Sequence, residues 1–394
     1  MTERVVVVGT GHGGVQTVDA LRRMDWQGDV SLIGAESHLP YRRPPLSKSF
    51  LKGQGAPVEL ALHSAEHYQS LQVDLRLAQR VCAIDRARRA VVLSSGESVR
   101  YDHLVLALGG RARCLRVPGW ELGGIVGLRT MDDAVLLRER LMQAQAVVLI
   151  GGGFIGLELA TAVTARGHEV TVLEPEERLL SRAVTPVTSE FLADRHRATG
   201  VRLRLGEGVA RFVGEHGAVR GVVTNSGATV AADLVVVGVG AAPECDLANV
   251  TGLHVDGGIV VDSDLRTLDP AISAIGDCAR FPEGRNLVAR SSIQNAFDGA
   301  THVARRLTGR STRYGPVPWF WTDQAGTKVQ MAGSAIEAGE RHLLDGDPGS
   351  GQFAVYRYAG ADFVGGESVG IPSAHLAMRK ALAAGVGPGL EFAC

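Results

Sequence analysis

Val5-Val6-Val7-Val8-Gly9-Thr10-Gly11-His12-Gly13-Gly14 is the stretch that decides the fold of this chain. A β-branched run ends on a glycine turn that fits G-x-G-x-x-G, and a helical pattern follows from Val15 to Met24. A second short strand, Asp29 to Ile33, comes next, with Glu36 just beyond it. Strand, glycine turn, helix, strand and acid, in that order, are the fingerprint of a βαβ unit that binds a dinucleotide. The glycines have separate tasks. Gly9 allows the tight turn, Gly11 lets the backbone approach a pyrophosphate, and Gly14 lets helix and strand pack closely. The helix start then offers N–H groups and the positive end of its dipole to phosphate.

The same device returns about 140 residues downstream. Ala146–Ile150 reads as the strand, Gly151-Gly152-Gly153-Phe154-Ile155-Gly156 as the loop and Leu157–Ala165 as the helix. Glu169–Leu173 is the next strand and Glu174 the acid at its end. Two such units imply two dinucleotides, and in an enzyme that pairing points to electron transfer between them. A carboxylate at Glu174 accepts a hydrogen bond from a free ribose 2′-hydroxyl and repels a 2′-phosphate. Glu176 and Glu177 add to the repulsion, so NADH is expected over NADPH. Arg178 and Arg182 are the nearby cations that would suit a 2′-phosphate, and a solvated acidic turn is the plainer reading of the whole group. In the first unit Gly34 takes the place directly after the strand, so Glu36 either reaches the ribose from two residues on or is a surface glutamate.

Bulk properties bound the rest. A chain of 394 residues exceeds one ordinary core, so two or three domains are expected. Hydrophobic content of 45%, charged content of 21% and a net charge of -1 describe a globular protein and argue against a nucleic-acid binder. Cys82, Cys114, Cys245, Cys278 and Cys394 form no C-x-x-C or other metal-ligand spacing, so no resident zinc or iron–sulfur site is expected. Scattered cysteines, the absence of a signal-like start and the lack of an apolar run long enough to span a bilayer lead to an expected cytoplasmic location.

Further elements fall into place along the chain. Residues 37–52 open as a proline-stiffened loop, and a helical segment lies near His63–Leu71. Strands are expected at Val73–Leu77, Val81–Ile84, Ala90–Leu93, Leu234–Val239 and Ala271–Ile275, and Tyr101–Leu108 is a strand running into a glycine turn. Helices are expected over Met131–Gln143 and Ser292–Leu307. Aromatic strands follow at Val329–Met331 and Phe353–Tyr358, then a last helix over Ser373–Ala384 and a loose tail after Gly385. The expected class is α/β, with two Rossmann-like domains and a C-terminal α+β domain. The expected boundaries are 1–112 with 242–315 for the first nucleotide domain, 113–241 for the inserted one and 316–394 for the last.

Four motifs carry a resemblance. They are Tyr41-Arg42-Arg43-Pro44-Pro45-Leu46-Ser47-Lys48, Gly153-Phe154-Ile155-Gly156-Leu157-Glu158, Ala274-Ile275-Gly276-Asp277-Cys278-Ala279 and Pro318-Trp319-Phe320-Trp321-Thr322-Asp323-Gln324. Through them nearly the whole chain resembles the FAD-dependent ferredoxin reductases of bacterial cytochrome P450 and ring-hydroxylating dioxygenase systems, the putidaredoxin reductase group. These share the glutathione reductase fold.

The resemblance implies that the first fingerprint (Gly9, Gly11, Gly14, with Glu36) holds FAD and the second (Gly151, Gly153, Gly156, with Glu174, Arg182 and Gly238) holds NADH. It places Lys48 near the flavin N5 edge with Glu158 as its partner, a pair that orients the nicotinamide and stabilises negative charge on reduced flavin. Asp277 is implied to bond the ribityl chain. Val81, Arg129, Ile293 and Trp321 are implied to line the FAD. A hydride would pass from NADH to FAD, and electrons would leave singly to a [2Fe-2S] ferredoxin. Because ferredoxins are generally acidic, Arg305, Arg306, Arg310 and Arg313 are candidates for a basic docking face, with a solvated helix end as the plainer reading.

The chain departs from the family pattern where Leu108 replaces a usual threonine, where Ser291 replaces a frequent glutamate, and at the displaced acid after Gly34. Disulfide reductases of this fold carry redox cysteines beside the flavin; residues 38–52 and 146–240 contain none. That counts against an NADH oxidase or peroxide reductase, the alternative enzyme. Neutral charge and the absence of a targeting segment count against a non-enzymatic role like that of apoptosis-inducing factor.

Overall fold

The computed structural model describes residues 3–310 and 313–388. They fall into two compact units.

The first unit comprises Met1–Arg42, Gly55–Arg111 and Ala241–Pro316. Its centre is a five-stranded parallel sheet in the order Ile272–Ala274, His103–Leu106, Arg4–Val8, Asp29–Ile33, Val73–Arg76. Val5, Val6 and Val7 are fully buried, which is why the central strand is a continuous β-branched run with no polar alternation. The glycine turn feeds straight into a helix at His12–Arg23, three residues earlier than the apolar pattern alone indicates. That helix packs against the late helix Ile293–Leu307, whose N-cap Ser292 accepts the Asn295 N–H at 3.0 Å. Val81–Asp85 opens a three-stranded antiparallel meander with Ala90–Leu93 and Ser98–Arg100.

The second unit comprises Arg43–Gln54, Ala112–Gly240 and Val317–Cys394. A second five-stranded parallel sheet runs Arg202–Leu205, Glu169–Glu174, Ala146–Ile150, Leu234–Val237, Ile125–Gly127. Beyond it lies a five-stranded antiparallel sheet, Trp319–Gln324, Thr327–Gly333, Asp362–Val369, Gln352–Ala359, Arg341–Asp347, backed by the helix Pro372–Ala384. Within this unit a buried carboxylate ties the two sheets' elements together. Glu367 accepts from the Thr185 backbone N–H at 2.8 Å, from the Thr185 hydroxyl at 2.8 Å and from Thr188 at 2.7 Å. It thereby satisfies the first turn of the helix Pro186–Ala198, which Thr185 caps in position only. Burial pushes the Glu367 carboxyl up.

The strands between Val209 and Ala231 escaped the sequence reading, because glycines and charged residues interrupt their apolar runs and register shifts break the alternation of the first pair. The docking-face expectation for Arg306 is corrected. Its guanidinium turns inward, donating to the Asp264 carbonyl and to Ser273 Oγ, both at 2.6 Å, and burial brings its pKa down to about 10. Most of the tail expected to be loose, residues 389–394, lies outside the described residues. No helix among the described residues is long and apolar enough to cross a membrane.

Candidate functional site

In each glycine loop the first and third glycines are demanded by the chain itself. Gly9 has φ +112° and a Cβ there would lie 2.2 Å from the Ala107 carbonyl oxygen; at Gly14 it would lie 1.8 Å from the Gly9 oxygen. Gly151 and Gly156 repeat this, at 2.5 Å from the Gly238 oxygen and 2.0 Å from the Gly151 oxygen. The middle glycines are different. A Cβ on Gly11 or Gly153 would meet no protein atom within 4 Å. Nothing in the chain requires glycine there, so the requirement comes from what approaches the loop. Each is also the N-cap of its helix, where glycine offers no side chain of its own to cap the first turn. Bare helix N-termini behind a side-chain-free approach suit a pyrophosphate, so the residues fit two dinucleotides.

Around the first loop, Gly13 and Gly276 both come against Ala296 of the late helix. This gathers the fingerprint, the 3-10 turn Gly276–Cys278 that carries Asp277, and the helix that begins at Ile293. Glu36 accepts from the Tyr41 hydroxyl at 2.5 Å. Val81 sits at the start of its meander, opposite Leu93. Cys278 is fully buried and burial pushes its thiol up to about 12, so it is a packing group and not a nucleophile.

In the second unit, Glu174 ends its strand as expected. Its carboxylate accepts from the Gly152 N–H at 2.5 Å and from the Glu176 N–H at 2.9 Å, which fixes it against the glycine loop. Arg178 is consumed by backbone carbonyls of Val184 and Ser181, which withdraws it as a 2′-phosphate ligand. Arg182 is almost fully exposed, 3.7 Å from Glu176. Gly238 continues the strand Leu234–Val237 and donates to the Ile150 carbonyl at 2.8 Å.

The strongest constellation is at Glu158, on the helix Phe154–Thr164. Lys48 Nζ lies 3.1 Å from its Oε1, and the Ser47 hydroxyl donates to Oε2 at 2.7 Å. Thr322 donates to Oε1 at 2.8 Å, and Lys48 also reaches Asp323 at 3.5 Å. Three segments remote in sequence thus meet on one carboxylate that is only 8% exposed. Behind Thr322 the network continues. Gln324 Nε2 donates to the Thr322 hydroxyl at 3.1 Å, and Gln324 Oε1 accepts from His196 Nε2 at 2.8 Å. His196 is fully buried, and burial lowers its pKa, so it stays neutral with the proton on Nε2. Ser47, Thr322, Gln324 and His196 were not singled out from sequence. The first three lie inside the quoted motifs, but nothing in the chain order signals His196.

The Lys48 segment is held rigidly. Phe50 and Leu51 are fully buried, the Arg138 guanidinium covers the Phe50 ring at 4.5 Å, and Arg166 donates to the Leu51 carbonyl at 2.6 Å. Arg43 donates to the Arg129 carbonyl at 2.6 Å. On the strand Trp319–Gln324 alternation places Trp319 and Trp321 together, 5.4 Å between ring centroids, while Phe320 packs on Phe154 at 4.6 Å. Trp319 is taken up in packing, with Arg379 over its ring at 4.5 Å and His375 at 5.6 Å.

Two glycine loops suited to dinucleotides, with a part-buried lysine paired to a buried glutamate beside the second, define the class as a two-dinucleotide oxidoreductase. Residues 3–300 match the model of the pyridine nucleotide-disulphide oxidoreductases, and residues 319–393 match the reductase C-terminal model. Rhodocoxin reductase of Rhodococcus erythropolis is 43% identical over 381 residues, covering 96% of this chain and 89% of that protein. The solved ferredoxin reductase of the CYP199A2 system from Rhodopseudomonas palustris superposes with a TM-score of 0.94 at 41% identity, covering 98% of this chain and 96% of that one. The reductase in a covalent putidaredoxin reductase–putidaredoxin complex gives 0.92 at 35%, covering 97% and 93%. The chain belongs to the pyridine nucleotide-disulphide oxidoreductase family, among the ferredoxin reductases that use FAD and NAD(H).

Proposed function

We propose that the chain carries electrons from NADH through FAD to a small [2Fe-2S] ferredoxin that supplies a cytochrome P450 or a ring-hydroxylating oxygenase, and that it works in the cytoplasm. The observation that carries the reading is the Glu158 carboxylate, held by Ser47, Thr322 and Lys48 on the helix that starts at the second glycine loop. A thiol-dependent oxidase or disulfide reductase of this fold would instead need redox cysteines near residues 38–52 or within 146–240, and neither stretch has one.

FAD, when bound, supplies the exchange between a two-electron donor and a one-electron acceptor; the protein supplies position and charge. The loop at Gly9, Gly11 and Gly14 holds the FAD pyrophosphate, with Glu36 at its ribose and Asp277, Val81, Arg129, Ile293 and Trp321 along the rest of the cofactor. The loop at Gly151, Gly153 and Gly156 holds NADH, with Gly238 beside it and Glu174 at the ribose. Lys48, fixed by Glu158, orients the nicotinamide with a charge that needs no rearrangement during reaction. The FAD-binding part is assigned to 1–112 and 242–315, the NAD-binding part to 113–241 and the interface part to 316–394.

Anaerobic reduction of the FAD-loaded protein by NADH, followed by separate addition of a [2Fe-2S] ferredoxin, oxygen and peroxide, tests the reading. Flavin reoxidation is expected to be fastest with ferredoxin; faster reoxidation by oxygen or peroxide overturns it.

A further inference from the structure

We propose that Asp19, His63 and His67 form a binding site for a divalent cation of the Zn2+ class. Asp19 lies on the nucleotide helix His12–Arg23, His63 just precedes the N-cap Ser64, and His67 is on the short helix Ala65–Ser70. The three come together within the first unit. His63 Nε2 is 2.9 Å from Asp19 Oδ2 and His67 Nε2 is 3.3 Å from Asp19 Oδ1. One ligand atom from each residue lies within 4.8 Å of the other two.

Tetrahedral zinc with bonds of about 2.0–2.1 Å needs donors roughly 3.3 Å apart. The two nitrogen–oxygen contacts, 2.9 Å to Oδ2 and 3.3 Å to Oδ1, are close to that spacing, and all three donors lie within 4.8 Å of one another. Here a second imidazole stacks on the first, 3.9 Å between centroids and 24° between planes, and presents the same ring atom to the same carboxylate. That convergence brings two imidazole nitrogens and a carboxylate together on one face, the donor set that a shared ion would bridge. Two imidazoles and a carboxylate suit zinc over calcium or magnesium, and leave one position for water. The side chains are one-sixth to one-third exposed, so an ion can enter. Tyr68 is buried beside both histidines, its ring edge-on to each at 6.0 and 5.8 Å, and gives the site an apolar floor. A bound ion would fasten Ala65–Ser70 to the nucleotide helix.

The test uses the full-length, FAD-loaded protein, stripped with chelator and titrated with zinc chloride by calorimetry. One equivalent is expected to bind with a Kd of about 10 µM or tighter, raising the thermal midpoint. His67→Ala and Asp19→Asn, each checked for retained flavin absorbance, are expected to weaken it at least about tenfold. Absence of a binding equivalent at about 100 µM zinc, or variants that bind like the parent, overturns the site. X-ray absorption on the zinc-loaded parent protein avoids any question of variant folding. Two imidazole nitrogens at about 2.0 Å support the site, and one or none overturns it.

Discussion

The two glycine loops are built alike at their first and third glycines and differently at the end of the second strand. The central and second strands pair in the same register, Val8 with Ile33 and Ile150 with Leu173, so Gly34 and Glu174 occupy the same place. The residue facing that place is Thr10 in the first loop and Gly152 in the second. A Cβ on Gly34 would lie 2.4 Å from the Thr10 side chain, so an acid cannot stand there, and the carboxylate appears two residues later as Glu36. In the second loop Gly152 leaves room for Glu174 and donates its N–H to it. The two facing positions thus exchange their side chains, threonine opposite glycine in the first loop and glycine opposite glutamate in the second. The helices differ in the same way. Five residues after the middle glycine stands Gln16 in the first, bonded to Thr301 at 3.3 Å, and Glu158 in the second, gripped by lysine, serine and threonine. Of these two matching positions, only the one in the second helix holds a charged side chain.

The comparison breaks most severely at the third glycines. Gly14→Ala forces a Cβ into the Gly9 carbonyl and Gly156→Ala into the Gly151 carbonyl. The first variant is expected to purify without FAD. The second is expected to keep its flavin but lose at least about 100-fold in kcat/KM for NADH, or about 2.7 kcal/mol. Flavin content and steady-state kinetics separate the two. If both lose FAD, the loops are not assigned to different nucleotides.

Next in size are Glu158 of the second helix and its partner Lys48. Lys48→Met is expected to slow flavin reduction by NADH about 100-fold, and Glu158→Gln, which makes this helix resemble the first, about tenfold. Stopped-flow reduction at saturating NADH reads both; rates equal to the parent would deny the pair its role. A smaller change is expected from Glu174→Ala, which should lower the preference for NADH over NADPH about tenfold through KM. An unchanged ratio of kcat/KM values would place selectivity elsewhere.

The smallest effect belongs to the buried end of the Glu158 network. Burial holds the His196 pKa below the ordinary value of 6.5, so at mildly acidic pH the unfolded chain binds a proton that the folded chain refuses. Stability from this group is complete above that value and is lost as pH falls from it toward the folded pKa. His103, His302 and His375 are lowered by burial in the same sense. Urea midpoints should therefore fall between about pH 7.5 and about pH 5.5, with a slope of at most about 1.4 kcal/mol per pH unit for each histidine. His196→Gln, which removes one titrating group, should flatten the fall; an unaltered slope would show that His196 titrates normally.

Glycines at fixed offsets from β-branched runs made both nucleotide units legible from sequence, because backbone clashes 2 Å apart leave no other residue possible at Gly14 and Gly156. The aromatic strand at Trp319–Gln324 was legible too, since alternation alone sets its faces. Arg306 was not: a basic residue near a helix end looks solvated until the Asp264 carbonyl and Ser273 are seen to hold it inside. Nor was the reason for Glu36, which needs Thr10 and Gly34 side by side. The sequence by itself determined the two loops, their order and the lack of a redox cysteine pair, all of which are local facts. Only the tertiary structure decided what surrounds Glu158 and what gathers Asp19, His63 and His67. Those partners lie 44 to 164 residues apart, and only packing brings them together.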